Sequence, residues 1–248
     1  MSRAVPPESA WRTPFAPLAV LGALSAVALW CVFPRGTVEG GNYLASKDMP
    51  WGKIMADRRV LAGLVVGLLI SAASENLNVI YGTWMEESFG LAIAALGMAT
   101  SVIGIAELMG EGGVMALADR LGKRRAVILG MVISAVSYLA LPVLGTTLAG
   151  ALFGLILVFV TFEFTIVAMI PLMSELVPKA RARVMSSQMA AHSVGRVIGA
   201  PLGAALLNTG IAWTGLTAAF LNGLALVILL AYTQKDDEPP ENKQSPSG

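Results

Sequence analysis

Long apolar stretches, each bounded by short polar segments, recur along almost the whole chain. They lie near 15–33, 59–81, 91–117, 125–145, 147–173, 185–208 and 211–233. Each is continuous and close to the length of about 20 residues that a helix needs to cross a hydrocarbon core of about 30 Å. Membrane barrels instead use alternating strands of about 10 residues, so these runs predict helices. The pattern predicts an all-α, polytopic membrane protein with seven transmembrane helices.

The composition agrees with a membrane protein and argues against several other classes. Hydrophobic residues make up 56% of the 248 positions and charged residues only 13%. A soluble domain would carry about 25% charged residues. The net charge of +1 gives no reason to expect a nucleic-acid partner. One cysteine and one histidine supply too few ligands for a disulfide or a metal site, so we predict no metal and no cofactor.

The lysines and arginines between the spans predict the orientation of the chain. They cluster at alternate junctions and in the tail, at Arg35, Lys47, Lys53, Arg58, Arg59, Arg120, Lys123, Arg124, Arg125, Lys179, Arg181, Arg183, Lys235 and Lys243. The junctions 82–90, 145–147 and 208–212 contain none. Because cytoplasmic segments are enriched in cations, we expect a plasma-membrane protein with its N-terminus outside and its C-terminus in the cytoplasm. A cleaved signal peptide over 15–31 is the alternative for the first span.

The predicted topology divides the chain into a lone-helix segment, a cytoplasmic linker, a six-helix domain and a polar tail predicted to be disordered. These segments are 1–34, 35–58, 59–233 and 234–248. The six-helix domain divides into two triplets of nearly equal length, 59–145 and 147–233, with opposite orientations. Such an arrangement is typical of an inverted three-plus-three repeat, which many secondary transporters contain.

Ionisable side chains occur inside some spans and not others. A charge at mid-bilayer costs about 2.5–3.5 kcal/mol, so it usually faces a cavity or a partner. The candidates, from the second, third, fifth and sixth spans, are Glu75, Glu107, Glu111, Glu163, His192 and Arg196. The first, fourth and seventh spans have none in their interiors. We therefore predict that four helices surround a polar region and that the others pack outside it.

The spacing of these candidates indicates two kinds of chemistry. Glu107 and Glu111 are four residues apart on one helix face, so they would repel each other if both were ionised. One of them could then bind and release a proton. His192 and Arg196 have the same spacing, and Arg196 could neutralise a carboxylate from another helix. The alternative is a structural salt bridge that ties helices together.

Two further clusters are candidates for a site wall and for helix packing. Glu75, Asn76 and Asn78 lie close together in the sequence, and we expect a site wall there, where the helix unwinds. In the sixth span Gly195, Gly199 and Gly203 recur every four residues. Small residues at this spacing allow two helix backbones to approach closely, so we interpret them as a packing seam.

The junction between the third and fourth spans resembles a motif of the major facilitator superfamily. It consists of Asp119, Arg120, Leu121, Gly122, Lys123, Arg124 and Arg125. It is similar to the family pattern Gly-x-x-x-Asp-Arg-x-Gly-Arg/Lys-Arg/Lys, although the leading glycine is replaced by Met115. The segments 11–15, 162–165 and 171–183 also resemble the family, the last two its drug or sugar efflux members.

The resemblance implies that the seven spans correspond to helices six to twelve of the family, with 35–58 as its central loop. The N-terminal half would then be missing or supplied by a second chain. It also implies that Asp119 and Arg120, with Gly122 and the following cations, form a latch of the cytoplasmic gate. The alternative is that these cations only anchor the topology.

These observations predict a transporter rather than an enzyme. The function they favour is alternating-access transport of a small organic solute, coupled to protons and directed outward, with the bilayer and the missing half as further partners. The alternatives are a seven-helix receptor or scaffold and a non-transporting transporter fragment. A retinal protein would need a lysine inside a helix, and Lys235 lies beyond the last span. The motifs His-Glu-x-x-His and Gly-x-Ser-x-Gly do not occur.

Overall fold

The computed structural model describes residues 15–32 and 50–233. The predictions made for 1–14, 33–49 and 234–248, including most of the linker and the tail, lie outside the described residues. The helices in chain order are α1 (Phe15–Val32), α2 (Trp51–Met55), α3 (Arg58–Asn78), α4 (Tyr81–Phe89), α5 (Ile93–Leu121), α6 (Lys123–Leu144), α7 (Leu148–Leu176), α8 (Arg181–Leu206) and α9 (Ile211–Thr233). Single 3₁₀ turns at Pro178–Ala180 and Leu207–Thr209 precede and follow α8.

The prediction of an all-α polytopic membrane protein is confirmed. Throughout 15–32 and 50–233 the chain forms helices and no strand, and six helical segments are long and apolar enough to cross a membrane. The first predicted span corresponds to α1, an apolar helix that is shorter than those six. It forms a unit separate from the helices of 50–233, and its side chains from 16 to 32 are exposed.

Several helix ends follow directly from the local sequence. Asp57 precedes α3 and its carboxylate accepts a hydrogen bond of 2.9 Å from the backbone N–H of Arg59. Thr147 precedes α7 and accepts one of 3.1 Å from the backbone N–H of Gly150. Both caps satisfy donors that the first helical turn leaves without a partner. Gly90 ends α4 in the left-handed conformation, with φ of 64°, which glycine adopts without strain.

The junction 82–90, which lies between two predicted spans, is helical as far as Phe89. It forms most of α4, which continues α3 after a turn at Val79 and Ile80. Trp84 and Met85 are buried in the core, and this burial offsets the cost of ordering a short helix that also carries two exposed acids. The chain is also helical through Asn78, so the expected unwinding near Glu75 does not occur.

The six long helices pack in three layers. The first helices of the two triplets, α3 and α7, form the middle layer, with α5 and α8 on one side and α6 and α9 on the other. The middle helix α3 contacts α8 and α9, which belong to the other triplet, and α7 likewise contacts α5 and α6. This reciprocal exchange is the arrangement that an inverted repeat produces. Among the spans, α3 is the most buried and α8 the least, so α8 presents an open face.

Candidate functional site

Charged side chains from four helices converge on one open side of the bundle. Glu75 lies on α3, Glu107 and Glu111 on α5, Glu163 on α7 and Arg196 on α8. We call these five residues the acidic face. The Nε atom of Arg196 lies 3.8 Å from Oε2 of Glu75, and Glu163 is close enough to Glu107, Glu111 and Arg196 to interact with them electrostatically. The four helices are those that carry ionisable residues in the sequence, and the structure places these charges together.

The acidic face is only partly shielded by the bundle itself. The side chain of Arg196 is 60% exposed and that of Glu75 is 20% exposed. Glu111 is exposed, while Glu107 and Glu163 are half-buried. The acidic face therefore contains four carboxylates and one guanidinium. Three of the carboxylates, Glu107, Glu111 and Glu163, have other carboxylates as near neighbours. Such a surface is costly against lipid and suits a water-filled cavity.

A glycine seam holds α8 against α3 and brings Arg196 to Glu75. Gly195, Gly199 and Gly203 are buried, and a Cβ atom at each would meet the main chain of Leu68, Ala72 or Asn76 on α3. Because these positions lack a Cβ, the two backbones lie in direct contact, as small-x-x-x-small patterns permit. Arg196 follows the first of these glycines by one residue, so its guanidinium emerges at the edge of the seam.

A second close approach joins α5 to α7 and was not expected from the sequence. A Cβ at Gly110 would meet the carbonyl of Val160 and would lie 2.9 Å from Cβ of Glu163. This contact brings the carboxylates of α5 next to Glu163. Gly113, three residues later, also approaches α7, where a Cβ would lie 3.5 Å from Cδ2 of Phe164. The two glycines do not extend into a run at a period of four.

His192 contacts α3 beside the glycine seam. Its Nδ1 lies 2.7 Å from Oγ of Ser71, and its Nε2 lies 3.4 Å from Nε2 of Gln188 on its own helix. The ring also packs against Gly67, where a Cβ would lie 3.1 Å from Cε1 of the imidazole. The structure thus places this histidine in the α3–α8 contact, where hydrogen bonds orient it.

Asn76 and Asn78 do not form a common wall with Glu75. Asn76 is fully buried on a different side of α3 and donates a hydrogen bond of 3.1 Å from Nδ2 to the carbonyl of Thr214 in α9. Asn78 is exposed at the last residue of α3. Consecutive residues of a continuous helix point about 100° apart, so the cluster seen in the sequence separates in space. Glu75 alone of the three faces the acidic side.

An aromatic contact lies on the same side of the bundle. It is nearer the cation-free end, which is formed by the junctions 82–90, 145–147 and 208–212. The hydroxyl of Tyr81 in α4 is 2.9 Å from Oγ1 of Thr100 in α5. The Tyr81 ring also meets the ring of Phe159 in α7 edge-on, with centroids 6.3 Å apart. These contacts connect α4, α5 and α7 between the carboxylates and the cation-free end. The sequence gave no sign of Thr100 as the partner of Tyr81.

The junction that resembles the superfamily motif, 119–125, contains a connection of only one residue between two helices; we call it the signature junction. Asp119 and Arg120 belong to the last turn of α5, and Lys123 begins α6, so Gly122 alone lies between the two helices, with φ of 81°. A residue with a Cβ is strained at this angle. Lys123 forms an ion pair with Glu175 near the end of α7, a partner that the sequence did not suggest.

At the same end of the bundle, cations of the second triplet also have partners. Arg181 donates a hydrogen bond of 3.1 Å to Oγ of Ser174, and the guanidinium of Arg183 lies 5.6 Å from the ring centroid of Trp51 in α2. This end therefore contains a set of cross-helix polar contacts, the position expected for a cytoplasmic gate. No three His, Cys, Asp or Glu side chains within the described ranges lie close enough to hold a metal ion.

A bundle of six membrane-length helices, in which each triplet packs its first helix against the other two helices of its partner triplet, is a polytopic membrane fold. The sequence profile of the Major Facilitator Superfamily matches residues 63–248. This match covers most of the chain, and the protein belongs to that superfamily.

A curated relative agrees with this assignment. The chain is 24% identical over 231 residues to an uncharacterized MFS-type transporter, YceJ, of Bacillus subtilis (strain 168). The aligned region covers 91% of this chain and 58% of the relative. The chain therefore spans less than two thirds of the length of the transporter it matches.

Proposed function

We propose that this chain forms the C-terminal half of an alternating-access transporter that exports a small organic solute in exchange for protons. One observation carries the proposal: the acidic face gathers four carboxylates and one arginine from α3, α5, α7 and α8 on the exposed side of the bundle. In such transporters the solute site lies between two helical repeats or halves, near the middle of the membrane. The acidic face is the wall of that cavity contributed by this chain.

Protons are the proposed coupling ion because the charges on the face do not balance. Arg196 is paired with Glu75, which leaves Glu107, Glu111 and Glu163 to repel one another. Binding one proton removes a negative charge and relieves this repulsion. When the cavity opens to the other side of the membrane, the same carboxyl can lose its proton there. Solute and proton would thus alternate at one site.

The proposal assigns the signature junction to gating. Asp119 and Arg120 at the end of α5 would pair with the other half of the transporter when the cytoplasmic side is closed. α6 and α7 pack along their length and also share the Lys123–Glu175 ion pair, so these helices would move together. The glycine seam between α3 and α8 supplies a smooth contact over which α8 can shift during the transition.

The remaining cavity wall would come from a further segment of a longer protein or from a second chain. The relative is longer than this chain, which agrees with this expectation. The transporter therefore has to be tested as a full-length protein or with its second chain, reconstituted in proteoliposomes with an imposed pH gradient.

The test is single replacement of Glu107, Glu111 and Glu163 by Gln. We expect at least one variant to lose gradient-driven transport of a panel of small organic dyes, while exchange of dye without a gradient persists. Glu86→Gln is the matched control, because Glu86 is an exposed glutamate on α4, away from the acidic face. If all three variants transport at the rate of the wild type, the coupling role of the face is wrong.

A further inference from the structure

A pocket lies at the cation-free end of the bundle, apart from the acidic face. It has a volume of about 460 Å³ and opens between α4 and the connection from α8 to α9. Its size falls within the range of about 300–1,000 Å³ that is usual for small-molecule sites. Because 81–89 is helical, residues from successive turns of α4 lie on one face and line one wall of the pocket. We call it the end pocket.

One wall of the end pocket combines an aromatic ring with a carboxylate. Ile80, Trp84 and Glu87 recur at helical spacing on one face of α4, with Ser88 beside them. The Trp84 indole is fixed by an edge-on contact with Phe89, with centroids 6.1 Å apart, and by packing against Gly145. Glu87 is exposed, so its carboxylate reaches the pocket mouth.

The opposite wall adds polar and apolar groups but no positive side chain. It contains Leu207, Asn208 and Ile211. The start of α9 contributes a partial positive charge of about half a unit, which is smaller than the full negative charge of Glu87. The junctions 82–90, 145–147 and 208–212 contain Glu86 and Glu87 and no lysine or arginine. The local field at this end therefore attracts cations.

We propose that the end pocket binds an organic ammonium group, with the carboxylate of Glu87 as its counter-ion and Trp84 as its aromatic wall. Ammonium groups are recognised by this combination of a nearby carboxylate and an aromatic ring. Two sources supply a ligand of this chemistry: a free organic amine and the ethanolamine headgroup of a lipid. Binding here does not depend on transport or on the acidic face.

The test measures equilibrium binding of radiolabelled benzyltrimethylammonium to the 248-residue chain in dodecyl maltoside micelles, with protein-free micelles as background. Glu87→Gln should weaken binding about tenfold, because it removes the only charge that lines the pocket. Glu86→Gln, which changes the adjacent residue outside the lining, should alter binding less than about twofold. The uncharged isostere neopentylbenzene should compete weakly.

Two results would overturn the proposal. Equal weakening by the two glutamine variants would mean a general field effect without a pocket, and full competition by neopentylbenzene would mean a purely apolar site. Added phosphatidylethanolamine and phosphatidylglycerol distinguish the sources of the ligand. Displacement of the probe by the first lipid alone would assign the site to a headgroup, and displacement by neither would assign it to a free amine. Circular dichroism melting would establish that both variants fold.

Discussion

At the residue scale, the state of the acidic face depends on which carboxylate Arg196 neutralises. In this structure its near partner is Glu75, at 3.8 Å, while Glu107 and Glu163 interact with it at longer range. The sequence identified these five side chains because charges are rare in apolar helices. It could not identify which of them pair, because pairing depends on the rotation of α8 against α3.

The Arg196–Glu75 pair should contribute little to stability. Its arginine is 60% exposed, and exposed pairs are worth only about 0.2–1 kcal/mol. A double-mutant cycle with Glu75→Gln and Arg196→Gln, measured by unfolding in mixed detergent micelles, should give a coupling energy in this range. A coupling above about 3 kcal/mol would instead indicate a pair that is desolvated and structural.

At the element scale, the packing of α8 on α3 depends on the absence of side chains at three positions. The period of four residues was sufficient to predict a seam, but not the helix it would contact. The corresponding contact of α5 with α7 depends on Gly110 and gave no repeat that could be recognised. The short helix α4 was missed for a related reason, because its polar face resembles a loop and the burial of its apolar face is decided by tertiary packing.

Gly199→Ala should destabilise the protein by about 1–3 kcal/mol, the usual cost of overpacking. The new methyl group would lie 2.9 Å from Cα of Ala72 and 2.9 Å from Cβ of Glu75, so the helices must separate. Gly223→Ala on α9 is the matched control, because a Cβ there meets nothing within 4 Å. It should be neutral or stabilising by up to about 1 kcal/mol. Unfolding by detergent titration would measure both, and equal effects would refute the seam.

At the scale of the whole molecule, the bundle has two kinds of surface. The outer layer formed by α6 and α9 exposes apolar side chains such as Val136 and Phe220, whereas α5 and α8 expose charged side chains among apolar ones such as Val197. The sequence predicted this division from composition alone, since spans without ionisable residues tolerate lipid. The three-layer order, with α3 and α7 in the middle, could not be predicted from the sequence, because it arises from contacts between the triplets.

Cysteine labelling can test this division in native membranes. In a Cys31→Ser background, Ser193→Cys on the exposed face of α8 should react with a water-soluble maleimide, because we expect a water-filled cavity there. Val136→Cys on α6, where the side chain is 58% exposed, should not react because lipid excludes the reagent. Both sites should react in SDS. Failure of the α8 site to react in membranes would place that face against lipid or protein.

The exchange of helices between the triplets also determines the order in which the chain can fold during synthesis. α3 leaves the ribosome long before α8 and α9, yet these are the helices that cover it. The first triplet must therefore wait in the bilayer with its inner surfaces uncovered until the second has been inserted. Neither triplet is a folding unit by itself, and a chain truncated after Thr147 would contain three long helices without most of their packing partners.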